Sequence, residues 1–384
     1  MSERSERLQS AIRQSEIVKQ IREFVECESP SGDRIAVHRF AELVATSFDG
    51  GVRMDRNGNF TAAVKLPGRR KSGQVLVLGH LDTVWPLGTL KQMPFREKQG
   101  RLWGPGVLDM KSGIAFFLAA IRALRELDIP VGRKVLLQLN CDEEIGSHSS
   151  RALTEERARE SDFVLVLEPG TGLAGKLKTA RKGVGDYCIT VRGYASHAGV
   201  DFAAGASAVV ELAKQIQRIS TFTDLTRGIT VNPGVISGGT RSNVIAAEAT
   251  AHVDARVPRL RDAGPLDRRF HSLRATDKRC TIEVSGGINR PPMERTGCTV
   301  KLLRLAQRLG REIGVEVQES ATGGGSDGNF TSALGVPTLD GLGGVGEGAH
   351  ALHESILIDR IVDRVVLLAL LLSDGAPYRA VRKG

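Results

Sequence analysis

Aromatic side chains are scarce in this chain of 384 residues, with 2 Trp, 3 Tyr and 12 Phe, or 4% of the total. Proteins that stack nucleic-acid bases need such rings. The 53 Lys and Arg are moreover spread along the sequence rather than gathered in one stripe. The formal charge of +9 therefore reads as a general positive field that draws anionic substrates, and no nucleic-acid partner is expected. Cysteine is also sparse: Cys27, Cys141, Cys188, Cys280 and Cys298 are scattered and form no CxxC pair. That argues against a disulfide framework and against a thiolate zinc site. No long apolar run is present. The longest uncharged one, Val365 to Leu372, falls far short of the roughly 20 residues of a membrane span, so no membrane partner is expected. The polar opening MSERSERLQSAIRQ does not resemble a signal peptide, and a cytoplasmic location is the expectation.

What is present has an ordinary globular composition, 41% hydrophobic and 25% charged, in a chain long enough for two domains. Residues 7–27 and 32–46 read as amphipathic helices. Apolar runs at 75–79, 134–140 and 163–167 have the texture of strands covered on both faces. A helix over 111–127, opened by Gly104-Pro105-Gly106, separates the first two. This βαβ rhythm predicts an α/β fold with a mostly parallel sheet between helices. From about residue 182 the texture becomes alternating, and 186–194 and 247–257 read as strands with one wet face. In the second of these, His252, Asp254 and Arg256 lie opposite Ala251, Val253, Ala255 and Val257. With a helix at 207–220 and a strand at 281–285, this predicts a small α+β domain built on a four-stranded antiparallel sheet. Helical and apolar-strand signals resume at 299–314, 336–340 and 356–373. The expected division is therefore 1–181 with 291–384 as one domain and 182–290 inserted into it.

Acidic residues and histidines collect where the apolar strands end, the place where open α/β sheets bind ligands. Run 75–79 leads into His80 and Asp82, which share a face on an extended segment, so Asp82 can orient the His80 ring. Asp109 precedes a helix, run 134–140 ends in Asp142-Glu143-Glu144, and run 163–167 ends in Glu168. Near the C-terminus lie His350, His353 and Glu354. An isolated histidine is more often structural than a ligand, and Asp-Glu-Glu is usually a solvated turn. Three consecutive strand ends that all carry potential ligands are not what solvation predicts. Carboxylates and imidazoles without thiolates suit a catalytic rather than a structural zinc site. Adjacent glutamates supply one ligand and one general base.

In chain order, GHLDTV, GPGVLDMKSG, CDEEIGS, LEP, GGGSD and GAHALHE resemble the motifs of the M20 metallopeptidase family. The likeness is to its glutamate carboxypeptidase (carboxypeptidase G2-like) branch and runs from about residue 75 to the end. The resemblance implies two zinc ions per subunit, with cobalt or manganese as substitutes. His80 and Glu168 would hold one, Glu144 and His350 the other, and Asp109 both. His350 is preferred to His353 because the ligand stands four residues before a glutamate, here Glu354. Glu143 would move the proton, Asp82 would set the tautomer of His80, and the Asp109–Met110 peptide would be cis.

For the inserted segment the resemblance implies a ferredoxin-like dimerisation or lid domain and a homodimer. His197, in GYASHAG, would reach the partner's site and polarise the scissile carbonyl. Asn243 and Arg256 match substrate-contacting positions, although a turn residue and a strand arginine paired with Asp254 are the plainer readings. Lys176 and Arg290 would meet substrate carboxylates, and Gly323–Asp327 could offer backbone N–H groups. The implied reaction is hydrolysis of the C-terminal amide bond of N-acyl amino acids or small peptides, releasing glutamate or another acidic residue. A deacylase or an aminopeptidase or dipeptidase of the same family is the alternative. A non-catalytic binding protein on this fold is a more distant one, which the intact Glu143 and metal positions disfavour.

Overall fold

A computed structural model describes residues 2–374. The chain divides into two compact units. The first takes the described residues of Met1–Ala180, Arg295–Ala321 and Ser326–Gly384; the second takes Arg181–Glu294 and Thr322–Gly325. The second unit thus starts and ends beyond 182–290 and also claims a short glycine-rich segment. The reason is local bonding: the Arg181 guanidinium donates to the carbonyls of Gly324 and Gly325, and Lys182 N–H to that of Thr322.

The first unit is built on a six-stranded sheet. In spatial order its strands are Val52–Met54, Phe60–Val64, Lys134–Asn140, Gln74–His80, Phe163–Val166 and Thr338–Leu339. The last four run parallel, and their central members are buried on both faces, as uninterrupted Val and Leu runs dictate. The first two add an antiparallel edge. Helices Ser112–Glu126 and Ile361–Ser373 pack on one another and are buried on nearly every side. An all-round apolar helix belongs inside a core, and Val365–Leu372 is such a segment. Among the described residues no helix is long and apolar enough to cross a membrane. A Cβ at Gly113 or at Gly343 would stand 2.1 Å from the Leu167 carbonyl oxygen. Only glycine lets the helix and the loop close on the segment that carries Glu168.

Two departures from the expected elements have clear causes. Residues 7–27 fold as two helices, Glu3–Ala11 and Gln14–Glu26, because Ile12 and Arg13 adopt extended backbone. The break lets Leu8 and Ile12 bury on one line and Ile17, Ile21, Phe24 and Val25 on another. The apolar spacing continues across it, which hides the break from a reading by period alone. The strand expected at 281–285 runs on as Thr281–Arg290 through Gly286 and Gly287. A Cβ on Gly286 would meet the Asp186 carbonyl oxygen at 2.1 Å, so glycine here marks close strand approach rather than a strand end.

The second unit is a βαββαβ arrangement of ferredoxin-like type. Its strands are Gly183–Arg192, Thr230–Gly238, Glu248–Val257 and Thr281–Arg290, and its helices are Ala208–Ser220 and Leu260–His271. All pairings are antiparallel, with Thr230–Gly238 and Thr281–Arg290 at the edges. The alternation along Glu248–Val257 resolves as read: Ala251, Val253, Ala255 and Val257 are buried, while His252, Asp254 and Arg256 face outward. The core of this unit holds Tyr187 stacked on Phe270 at 3.8 Å between ring centroids.

Phe117 is wholly buried in helix Ser112–Glu126. Phe117→Ala is expected to lower unfolding free energy by about 3–5 kcal/mol, measured as a lower urea midpoint; a loss under about 1 kcal/mol would show that this helix is not central to the core.

Candidate metal centre

The parallel strands deliver their C-terminal ends to one rim, and each end turns a polar group inward. His80 is the last residue of Gln74–His80, and Glu168 follows Phe163–Val166 by two residues. Glu143 and Glu144 form a short 3-10 turn after Lys134–Asn140. Asp109 lies in the irregular turn Val107–Lys111, where its φ of −116° and ψ of 93° are not helical. The Asp109–Met110 peptide is cis.

His80 Nε2 lies 3.1 Å from Asp109 Oδ1 and 3.4 Å from Glu168 Oε1. His350 Nε2 lies 3.4 Å from Asp109 Oδ2 and 3.2 Å from Glu144 Oε1. Asp109 therefore presents one oxygen to each imidazole. The donor atoms of His80, Asp109 and Glu168 fall within 4.8 Å of one another, and so do those of Asp109, Glu144 and His350. His350, with φ of 63°, reaches this cluster from a left-handed turn, whereas His353 is exposed and stands outside it.

The electrostatics follow from the crowding. Burial opposes charge on His80, but bonds to Asp109, Asp82 and Glu168 raise its pKa well above the ordinary value. Bonds to Asp109 and Glu144 lift His350 to about 10. Burial opposes ionisation of Asp109 as well, yet contact with His350 and His80 holds its pKa below the usual carboxylate range. Glu144 moves up, chiefly through burial and with the Asp109 charge adding to it. Carboxylates this close demand positive charge, and protons on two imidazoles supply part of it. The same donors, all oxygen and imidazole nitrogen, suit divalent zinc, cobalt or manganese, whose uptake would displace those protons. The residues present fit a pair of such ions sharing Asp109.

A buried layer holds these groups in place. The His80 Nδ1 bonds the main-chain carbonyl of Asp82 at 2.8 Å, while the Asp82 carboxylate stands 3.5 Å away. The ring orientation expected from the Asp82 side chain thus comes first from its backbone. The carboxylate itself accepts from Glu143 N–H at 3.1 Å, Glu144 N–H at 3.2 Å and Ser31 Oγ at 2.7 Å. It therefore fixes the glutamate turn, because an extended segment brings its side chain level with the neighbouring strand end. Glu143 is half-buried on that turn, and its charge acts on His80. Three further groups escape a reading of the sequence alone. Asp327 accepts from Asn140 Nδ2 at 2.6 Å and from Ser147 Oγ. Lys111 buries its ammonium on the carbonyls of Phe24 and Cys27, at 3.0 and 2.7 Å. The third, Glu354, accepts from the backbone of the Asp109 loop. Each is a charged member of a motif quoted above, but only the fold shows what it grips.

The other residues singled out by sequence are placed as follows. Lys176 is half-buried in the first unit. In the second, His197 and Asn243 are exposed on the segment joined by the His197–Val244 bridge, and the His197 Nδ1 accepts from Gly199 N–H at 3.1 Å. Arg256 is engaged by Asp254 through bonds of 2.7–3.0 Å and reaches the Gly323 carbonyl at 3.3 Å. Arg290 is buried against Gly325. The glycine run offers less backbone than expected: Gly324 N–H bonds Thr322 Oγ1 and Ser326 N–H bonds Asn329 Oδ1.

Residues 76–374 match peptidase family M20/M25/M40. The chain belongs to the M20 peptidase family. It is similar to carboxypeptidase G2 of Pseudomonas sp. (strain RS-16), with 28% identity over 94% of this chain and 89% of that protein. It is also similar to succinyl-diaminopimelate desuccinylase of Acidovorax ebreus (strain TPSY), with 28% identity over 80% and 79%. Among solved structures, an aminopeptidase PepT from Bacillus cereus shares the fold, with a TM-score of 0.75 and 22% identity over 94% of this chain and 99% of that one. As an M20 member this protein is a metallopeptidase-type hydrolase of peptide or amide bonds.

Proposed function

We propose that this M20 hydrolase is a two-metal carboxypeptidase. Its reaction is hydrolysis of the C-terminal amide bond of N-acyl amino acids or small peptides, with glutamate or a similarly acidic residue released. The two-metal part of this reading rests on the two oxygens of Asp109, which face His80 and His350 separately, each imidazole with its own glutamate; the carboxypeptidase part is supported by the likeness to carboxypeptidase G2. A shared carboxylate flanked by two such sets is what a pair of ions a few ångströms apart requires. Zinc suits the donor set, and cobalt or manganese can replace it.

Ions held there by His80, Asp109, Glu144, Glu168 and His350 would supply Lewis acidity, stabilising charge on the attacking water and on the scissile carbonyl oxygen. The chain's own groups do the remainder. The Glu143 carboxylate removes a proton from the water as its oxygen bonds to the carbonyl carbon. It then gives that proton to the amide nitrogen as the C–N bond breaks, leaving an acid and a free amine. Asp82 holds Glu143 by its backbone, so the base does not drift from the cluster. His197 is assigned to the developing oxyanion in the partner's site, Lys176 and Arg290 to substrate carboxylates, whose planar shape a guanidinium matches, and Asn243 and Arg256 to substrate contact.

A homodimer formed through the second unit accompanies this reading. Its edge strand Thr230–Gly238 exposes Val235 and Ile236, and helix Ala208–Ser220 exposes Val209 and Val210. A bare apolar sheet edge of this kind is normally covered. The likeness to a desuccinylase favours a second reading, a deacylase that discards an acyl group from another amino acid.

Glu143→Gln should retain full metal content while kcat falls about 10²–10⁴-fold. Metal lost in step with activity would reassign Glu143 as a ligand. In a panel of N-acyl-Glu, N-acyl-Ala and unacylated dipeptides, N-acyl-Glu should give the highest kcat/KM. Preference for free N-termini would overturn the carboxypeptidase reading.

A further inference from the structure

Glu354 is fully buried beside the cluster without belonging to it. Its Oε1 accepts from Leu108 N–H at 2.8 Å and Asp109 N–H at 3.1 Å. Its Oε2 accepts from Gly106 N–H at 3.0 Å and from the Trp85 indole at 2.8 Å. The main chain of the same residue takes part as well, since Gly104 N–H donates to the Glu354 carbonyl. Almost the whole run from Gly104 to Asp109 is thus tied to one residue.

That run has no regular structure to satisfy it. Gly106 is left-handed, with φ of 71°, and Asp109 departs from helical geometry. The N–H groups of Gly106, Leu108 and Asp109 consequently fan toward one point, where a carboxylate supplies enough lone pairs for them and for Trp85 together. An amide offers one oxygen and would set its own N–H groups against two of these donors. The position of Asp109 relative to both imidazoles follows from this grip, because a turn of the backbone at residue 109 moves both of its oxygens. Trp85 extends the tie to the segment three residues beyond Asp82, which fixes the glutamate turn.

We propose that Glu354 is a positioning residue: it holds the Gly106–Asp109 loop so that Asp109 faces His80 and His350 at once, with Trp85 locking the carboxylate. The inference rests on the reading of Asp109 as the ligand shared by two ions. A role in stability alone would leave metal binding unaltered in the folded protein.

The test is Co²⁺ titration of the metal-stripped wild-type chain, Glu354→Gln and Trp85→Phe, well below each variant's unfolding temperature. Calorimetry and the visible absorption of bound Co²⁺ are the readouts. Glu354→Gln should bind both ions about 10–100-fold more weakly, with shifted absorption bands. Trp85→Phe keeps the carboxylate and removes one donor, and should lose roughly 2- to 10-fold. It decides the matter alone if the glutamine variant does not fold. Folded variants that match wild-type affinity and spectrum, even with a lower Tm, overturn the positioning role. A wild-type chain that takes up no Co²⁺ overturns the two-metal reading and this inference with it.

Discussion

Like-charge repulsion among carboxylates is the constraint to which the rest of the first unit answers. Parallel strands end together, and here the ends and their loops bring Asp82, Asp109, Glu143, Glu144 and Glu168 to one rim. Left alone, such a group would protonate or spread apart. It is kept together by two imidazoles placed against Asp109 and by backbone N–H groups that bond Asp82. Divalent cations would satisfy the remaining demand, and Asp109 presents one oxygen toward each imidazole. Burial makes the arrangement sensitive, since Asp109 and Glu144 depend on their partners for their charge states.

Much of this was legible in the sequence, for reasons specific to the residues involved. Buried parallel strands write themselves as Val and Leu runs, so the strands ending at His80, Asn140 and Val166 stand out, and the polar residues after them are conspicuous by contrast. The alternation of Glu248–Val257 likewise announces a sheet with one covered face. Motif order then attached chemistry to these positions. Short or half-exposed strands carry no such signature. Val52–Met54 and Phe60–Val64 are of that kind, and so is the small sheet formed by Arg96–Lys98, Arg101–Trp103, Gly346–Glu347 and Ser355–Leu357.

The supporting layer was illegible for a different reason. In the sequence Glu354 is only a spacing mark for His350, and Asp327 only the end of a glycine run. What each grips lies far away in the chain: Asp327 binds Asn140, and Glu354 binds Gly106 to Asp109. No local pattern encodes a partner two hundred residues distant. Asp82 shows the reverse case: the spacing places it beside His80, but a backbone carbonyl competes with the side chain for the same imidazole nitrogen and stands closer. Arg256 is the simpler case, since its pairing with Asp254 on its own strand face is already legible in the alternation of that strand.

The claim on which the account stands is that Asp109 is shared by two ions. Metal content after saturation with zinc and removal of excess ion tests it most directly, on the wild-type chain and on Asp109→Ala. Two zinc ions per wild-type chain are expected, with loss of both in Asp109→Ala. One ion per wild-type chain, or two retained by the variant, would contradict it.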